Sequence, residues 1–249
     1  MVKIIKGDAL EELQKLESES FDAVIADPPY SSGGFTRSDR SADPEDKYVH
    51  TGTQLVRESF SGDNRDGRSW CFWVTLWISE CLRLVKEGGY LLMFTDWRQL
   101  PLASDALQAG GFVWRGVIAW DKGEGARAPH RGYFRHQCEF VVWGTRGTSR
   151  PASHGGPWLG CIKCHVKTSE KLHITGKPLE LMAYLVEAVV PPGGNVLDPF
   201  AGSGSTGLAA DRLGRNATLI EISEGWADLA WKRIKGDCPM FVEMEGGGR

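Results

Sequence analysis

The segment from Asn195 to Gly214, NVLDPFAGSGSTGLAADRLG, leaves the chain little choice of fold. A short apolar run, Val196 and Leu197, ends in Asp198, Pro199 and Phe200. Proline has no N–H to give a sheet ladder, so a strand stops there. Glycines at 202, 204 and 207 follow, and then an Ala- and Leu-rich helical pattern. Glycines allow a tight turn and a close approach of helix to strand. A strand that passes straight into a helix must return parallel to itself, because the helix carries the chain back across the sheet. The returning strand is NATLIEI, in which Glu221 stands nineteen residues after Gly202.

Gly202 to Gly207 reads G-x-G-x-x-G, and with Glu221 it has the layout of an adenosine-binding crevice, where a carboxylate accepts hydrogen bonds from ribose hydroxyls. A dinucleotide would suit the glycines. The flanking residues suit it less: Asp198 repels a pyrophosphate and attracts a cation, and Phe200 puts a ring beside the turn.

The rest of the chain repeats the alternation. VKIIKGDAL is a strand ending at Gly7 and Asp8, ALEELQKL a helical stretch, and FDAVIADPPY a buried strand with an abrupt stop. Trp70, Trp73 and Trp77 share one helix face and are read as core. That helix is expected to run to RLVKEGG, where Gly88 and Gly89 stop it. YLLMFTD, VIAWDKG and CEFVVWGT are strands, PLASDALQAGG is a helix, and WADLAWKRI is a closing helix. KPLELMAYLVEAVVPPGG is a helix with Pro178 near its first turn and its end at Gly193-Gly194. The expected fold is α/β, a doubly wound and mostly parallel sheet. With 249 residues and 41% hydrophobic content, one domain over 1–249 is expected, interrupted by loop insertions at 31–69 and 147–172.

No secretory leader is apparent, no apolar run nears the roughly 18 residues of a membrane span, and the six cysteines read as reduced thiols, so a cytoplasmic protein is expected. Cys161, Cys164 and His165 have haem-attachment spacing, but a zinc site would need a fourth ligand and only His154 is near in sequence, so no metal is expected. The net charge of −3 announces no nucleic acid, but residues 122–177 hold ten Lys and Arg against three acids. A net of +7 in that segment suits a polyanion or a solvated basic face.

The strand VIADPPY ends in Asp27, Pro28, Pro29 and Tyr30. Two prolines stiffen a turn, either for structure alone or because something docks against it.

VIADPPY taken together with VLDPFAGSGSTGLAA resembles the DNA methyltransferases that modify exocyclic amino groups with S-adenosylmethionine. HITGKPLEL, from His173, is similar to their third signature, with Ile174 in place of the usual proline. GDALEEL, RLVKEGGYLLMF, AWDKG and LIEIS fit as well, so the resemblance spans the chain outside 31–69 and about 147–172. The Asp-Pro-Pro-Tyr strand precedes the glycine turn, which resembles the circularly permuted class called beta, with a Rossmann-like sheet.

This resemblance implies S-adenosylmethionine as cofactor and double-stranded DNA with one flipped base as partner. It implies that Asp27, Pro28, Pro29 and Tyr30 are catalytic. The Asp27 carboxylate and the Pro28 carbonyl would accept the two protons of the target amine, which frees its lone pair, while Tyr30 stacks on the base. Around the cofactor it implies Asp8 and Ala9 at the adenine, Glu221 at the ribose, Asp198 at the methionine ammonium, and Phe200 against the cofactor. His173, Lys177, Gly202, Ser203 and Gly204 would complete that crevice. Each has a plainer reading: Asp8 as a turn acid, Asp198 as a capping acid, Phe200 as core, Lys177 as a helix start, His173 as a loop residue. In this family an Asp at the first motif position accompanies adenine N6 more often than cytosine N4, so adenine is expected and cytosine-N4 is the runner-up. A dinucleotide oxidoreductase would leave Asp-Pro-Pro-Tyr unexplained, and a non-catalytic DNA-binding protein would leave Asp27 and Tyr30 without a purpose. The 31–69 loop leaves directly from Tyr30 and is expected to read DNA or to pair two subunits in a homodimer.

Overall fold

The computed structural model describes residues 1–30, 65–124, 132, 134–149, 154–165, 176–237 and 242–245. The strands are β1 (Val2–Lys6), β2 (Phe21–Ala26), β3 (Val85–Thr95), β4 (Val113–Asp121), β5 (Cys138–Thr145), β6 (Cys161–Lys163), β7 (Asn195–Asp198), β8 (Asn216–Glu221) and β9 (Val242–Glu245). The helices are α1 (Ala9–Lys15), α2 (Gly67–Leu84), α3 (Leu100–Ala109), α4 (Leu179–Val189), α5 (Ser205–Arg212) and α6 (Glu224–Asp237). One sheet runs in the order β6-β4-β5-β3-β2-β7-β8-β1-β9. It is parallel from β3 to β9, and β5 is antiparallel to both β3 and β4.

The sheet is doubly wound, and β2 shows why. Ala23 and Ile25 face a core built with α4, α5 and α6, whereas Val24 and Ala26 face one built with α1, α2 and α3. A strand buried on both faces must be apolar at successive positions, and Ala23 to Ala26 are each 0% exposed. No helix among the described residues is long and apolar enough to cross a membrane.

β2 and β7 lie side by side, with Val24 beside Leu197. From β2 the sheet is extended in one direction by β3, and from β7 in the other by β8. Their junction is therefore the switch point of the sheet, where open α/β sheets bind ligands beyond the strand ends. The permuted motif order thus brings Asp27 and Asp198 to one place.

Several boundaries differ from the expectation. α2 ends at Leu84, and Gly88 and Gly89 lie inside β3 instead of stopping a helix. A Cβ on Gly89 would lie 2.6 Å from the Asp22 carbonyl oxygen, so glycine there lets β3 pass β2 where their register shifts. α4 ends at Val189, before Pro191-Pro192 rather than at the glycines, since proline cannot continue the helix. The 147–172 segment contains β6, and β9 at the sheet edge was not anticipated. The 31–69 loop is described only from Arg65, and Gly67–Ser69 already belong to α2, capped by Asp66. Residues 31–64 lie outside the described residues.

Candidate active site

The turn after β7 is held by two carboxylates. Asp198 is 4% exposed and accepts from the Phe200 amide (3.0 Å) and the Thr206 hydroxyl. Glu221 ends β8 and accepts from the Gly202 amide (2.7 Å) and the Ser223 amide (2.9 Å). Gly204 has φ +77°, and a Cβ there would come within 2.9 Å of Ala230, so both its conformation and its surroundings favour glycine. Arg233 donates to the Ser203 carbonyl and to the Ser203 and Ser205 hydroxyls, which fixes the start of α5.

Burial drives the Asp198 carboxyl up to about 7, against the hydrogen bonds from Thr206 and Phe200, and the Asp27 and Glu221 charges push the same way. No cationic side chain pairs with Asp198 among the described residues. A buried carboxylate with no cationic partner among the described residues suits a cation better than a pyrophosphate.

On the other side of Glu221, the Gly7 amide donates to its carbonyl at 3.1 Å. This places Asp8 and Ala9 at the same rim. Asp8 caps α1, accepting from Leu10 and Glu11, and its other lone pairs stay available. Phe200 sits edge-on to Trp77, with centroids 5.2 Å apart, and 5.5 Å from Trp73. Trp70 and Trp77 are fully buried, as the core reading requires. Trp73 is half-buried, and Arg65 lies over its ring, so the stripe reaches the site as well as the core.

The turn after β2 has a partner that its sequence does not reveal. Lys177, 9% exposed, donates to both Asp27 oxygens at 2.8 and 2.7 Å and lies 3.6 Å from Glu139. Glu139 is also bound by Lys122 at 2.9 Å and by the Tyr30 hydroxyl at 3.3 Å. Two carboxylates and two ammonium groups make this network neutral, which a buried site requires. Burial raises the Asp27 pKa against the pull of Lys177, leaving it above the ordinary carboxylate range. Burial alone would lower the Lys177 pKa, but the Asp27 and Glu139 carboxylates outweigh it and the pKa is raised. Burial opposes ionisation of Glu139 too, but Lys177 and Lys122 prevail and lower its pKa.

The resemblance groups Lys177 with the cofactor crevice, yet its ammonium is paired with Asp27 and Glu139. No sequence pattern marks Glu139 and Lys122 as members of this network. The only signal was one acid within the apolar strand CEFVVWGT, and an acid in a basic segment reads as ordinary charge balance.

Trp70 is the second concealed partner: its indole N–H donates to the Pro29 carbonyl at 2.7 Å. Trp70→Phe keeps most of the apolar volume and strands that carbonyl. Urea unfolding is expected to show a loss of about 1–3 kcal/mol at unchanged m. An unchanged midpoint would mean that the bond does not hold the turn.

His173 lies outside the described residues, as do Arg127 and Arg131 of the basic segment. Arg135 is exposed and donates to the Glu124 carbonyl at 2.8 Å. Cys161 is exposed on β6 and Cys164 is buried. Among the described residues no cluster of three or more His, Cys, Asp or Glu side chains could hold a metal.

Comparison with known proteins is consistent with this geometry. A family model described as DNA methylase matches residues 21–155 and 145–232. The Type II methyltransferase M2.DpnII of Streptococcus pneumoniae is 27% identical over 252 residues, covering 94% of this chain and 90% of that protein. A solved complex of M1.HpyAVI with SAM is 26% identical, with a TM-score of 0.67, 94% of this chain covered and 99% of the other. The cytosine-N4-specific PvuII DNA methyltransferase has a TM-score of 0.69 at 15% identity, with 92% of this chain and 84% of that one covered, a likeness of fold alone.

Proposed function

We propose that this chain, which belongs to the N6/N4 DNA methylase family, methylates the N6 amino group of adenine in double-stranded DNA. Transfer of a methyl group to DNA from S-adenosylmethionine is the activity of the family. The finer claim, adenine, is carried by one observation: an aspartate, Asp27, stands at the end of β2 beside the glycine turn. The resemblance associates that residue with adenine more often than with cytosine.

The crevice fits the cofactor. A buried carboxylate without a cationic partner among the described residues, Asp198, suits its ammonium. Glu221, already oriented by two amides, suits its ribose hydroxyls. Asp8 and Ala9 would border its adenine, and Phe200 would lie against it. When bound, the cofactor supplies an electrophilic methyl group on a sulfonium.

The chain's own residues prepare the other reactant. The amine of adenine is a poor nucleophile because its lone pair is spread into the ring. Asp27 and the Pro28 carbonyl accept hydrogen bonds from its two N–H groups and localise that pair. Trp70 holds the next carbonyl, so the turn is preorganised. Lys177 holds both Asp27 oxygens in place, and each oxygen retains acceptor capacity. The nitrogen must lose a proton once it carries the methyl group, and the Asp27 oxygen, with proton affinity raised by burial, receives it. Tyr30, anchored through its hydroxyl to Glu139, offers its ring to the base. The target atom is out of reach inside a duplex, so the base is flipped.

The test is transfer of a radiolabelled methyl group to DNA, followed by hydrolysis and separation of nucleosides. Label in N6-methyldeoxyadenosine supports the proposal, and label in N4-methyldeoxycytidine assigns the second reading.

Asp198 gives this account a pH dependence. Its pKa of about 7 in the free protein leaves it largely protonated at pH 6. A bound ammonium lowers that pKa, so binding releases a proton. Binding of S-adenosylhomocysteine is therefore expected to tighten as pH rises to 7, by up to about tenfold per unit, and to level off above it. Calorimetry in buffers of different ionisation enthalpy reads the proton directly. Affinity flat from pH 6 to 8, with no proton released, would remove Asp198 from the contact.

A further inference from the structure

The far rim of the site carries rings that the proposed chemistry does not use. Trp97 lies two residues beyond the end of β3 and is 50% exposed. Its ring is stacked on His136, with centroids 5.5 Å apart and planes within 12°. His136 precedes β5 and is exposed, and two residues earlier Phe134 is 94% exposed. Arg98 lies 5.1 Å over the Trp97 ring and is fixed by Asp96 at 2.8 Å.

The topology places this group beside the base turn. β3 is the neighbour of β2, and Thr95 at its end pairs with Phe140 of β5. The residue before Phe140 is Glu139, which binds Tyr30 and Lys177. Trp97 and His136 therefore sit on the same edge of the sheet as Asp27, one and two strands further out. Exposed rings scattered singly need no explanation. Here two rings are already stacked, a guanidinium is held over one of them, and a third ring stands bare two residues from His136, all beyond the edge of the sheet on which Asp27 lies. Stacked aromatic rings with arginine are how proteins receive unstacked bases irrespective of sequence.

We infer that Trp97 and His136 form a shelf on which a nucleobase next to the flipped target stacks, replacing the neighbour that it loses when the target leaves the duplex. This rests on the DNA-base reading above. The Arg98 charge steadies the Trp97 ring and the adjacent backbone.

The test is a coupling measurement with full-length protein and S-adenosylhomocysteine. The probe is a duplex carrying one site mapped from plasmid DNA that the wild-type protein has methylated. In a second and third duplex, the base on either side of the target is abasic. Trp97→Ala is expected to weaken binding to the intact duplex about tenfold. Loss of the stacked base should weaken wild-type binding by a similar factor, and the two changes together should cost little more than one alone. His136→Ala, at an exposed ring, is run alongside with the same expectation and carries the test if Trp97→Ala does not fold. Losses that multiply, or variants that bind the intact duplex as wild type does, would overturn the shelf. Wild-type protein that leaves plasmid DNA unmethylated would instead remove the functional reading beneath it.

Discussion

Asp27→Ala is expected to reduce methyl transfer by about a hundredfold or more while S-adenosylhomocysteine binds with nearly wild-type affinity. Removing one preorganised acceptor at the reacting centre has an effect of that size. The cofactor groups are met by Asp198 and Glu221, which the substitution leaves in place. The ion-pair geometry adds a second consequence. Lys177 loses its two shortest contacts and keeps, as its one ion pair among the described residues, Glu139 at 3.6 Å, so a buried ammonium is left underpaired. Breaking a buried pair from one side costs about 3–5 kcal/mol. Asp27→Ala should therefore unfold at lower urea. Asp27→Ala combined with Lys177→Met should recover part of that stability and none of the activity. Turnover near wild type in folded Asp27→Ala would sink the assignment of Asp27.

Lys177→Met is the second large effect, and its signature is a pH profile. Asp27 must be ionised to accept the amine protons. Its pKa is already raised by burial, and Lys177 is the group that restrains it. Without the ammonium, Asp27 lies in a largely buried site with Glu139 as a like charge, so its proton affinity rises further. The acid limb of the rate profile must then move to higher pH. Below that limb the rate falls about tenfold per pH unit, and raising the pH restores part of it. A fall in rate with no movement of the limb would make Lys177 a packing residue. An unchanged rate and profile would detach it from the reaction.

What could be read from the sequence and what could not divide along one physical line. The glycine turn, the Pro-Pro stop of β2 and the acid at the end of β8 are local devices. Each is legible because the residues that cause the structure adjoin one another. The placing of Asp27 beside Asp198 is implied by the resemblance to the permuted class, in which the two turns end neighbouring parallel strands, as β2 and β7 are here. The partners of those turns were not legible. Lys177 reaches Asp27 across 150 positions and Trp70 reaches Pro29 across 41, and neither spacing has a pattern. Gly88 and Gly89 misled in the opposite sense: paired glycines after a helical run signal a stop, but they serve a close crossing of β2 and β3. Glu139 was hidden because a lone acid in a basic segment carries no mark of burial. The reading of 31–69 as a DNA-recognition or dimer loop falls, for 31–64, outside the described residues, as does that of His173 in the cofactor crevice.

The measurement that bears most directly on the account is sequencing, with detection of modified bases, of plasmid DNA from cells producing this chain or its Asp27→Ala variant. The account predicts N6-methyladenine at one recurring motif with the wild-type chain, and unmodified DNA with the variant. Modified cytosine, no modification by the wild-type chain, or equal modification by both would contradict it.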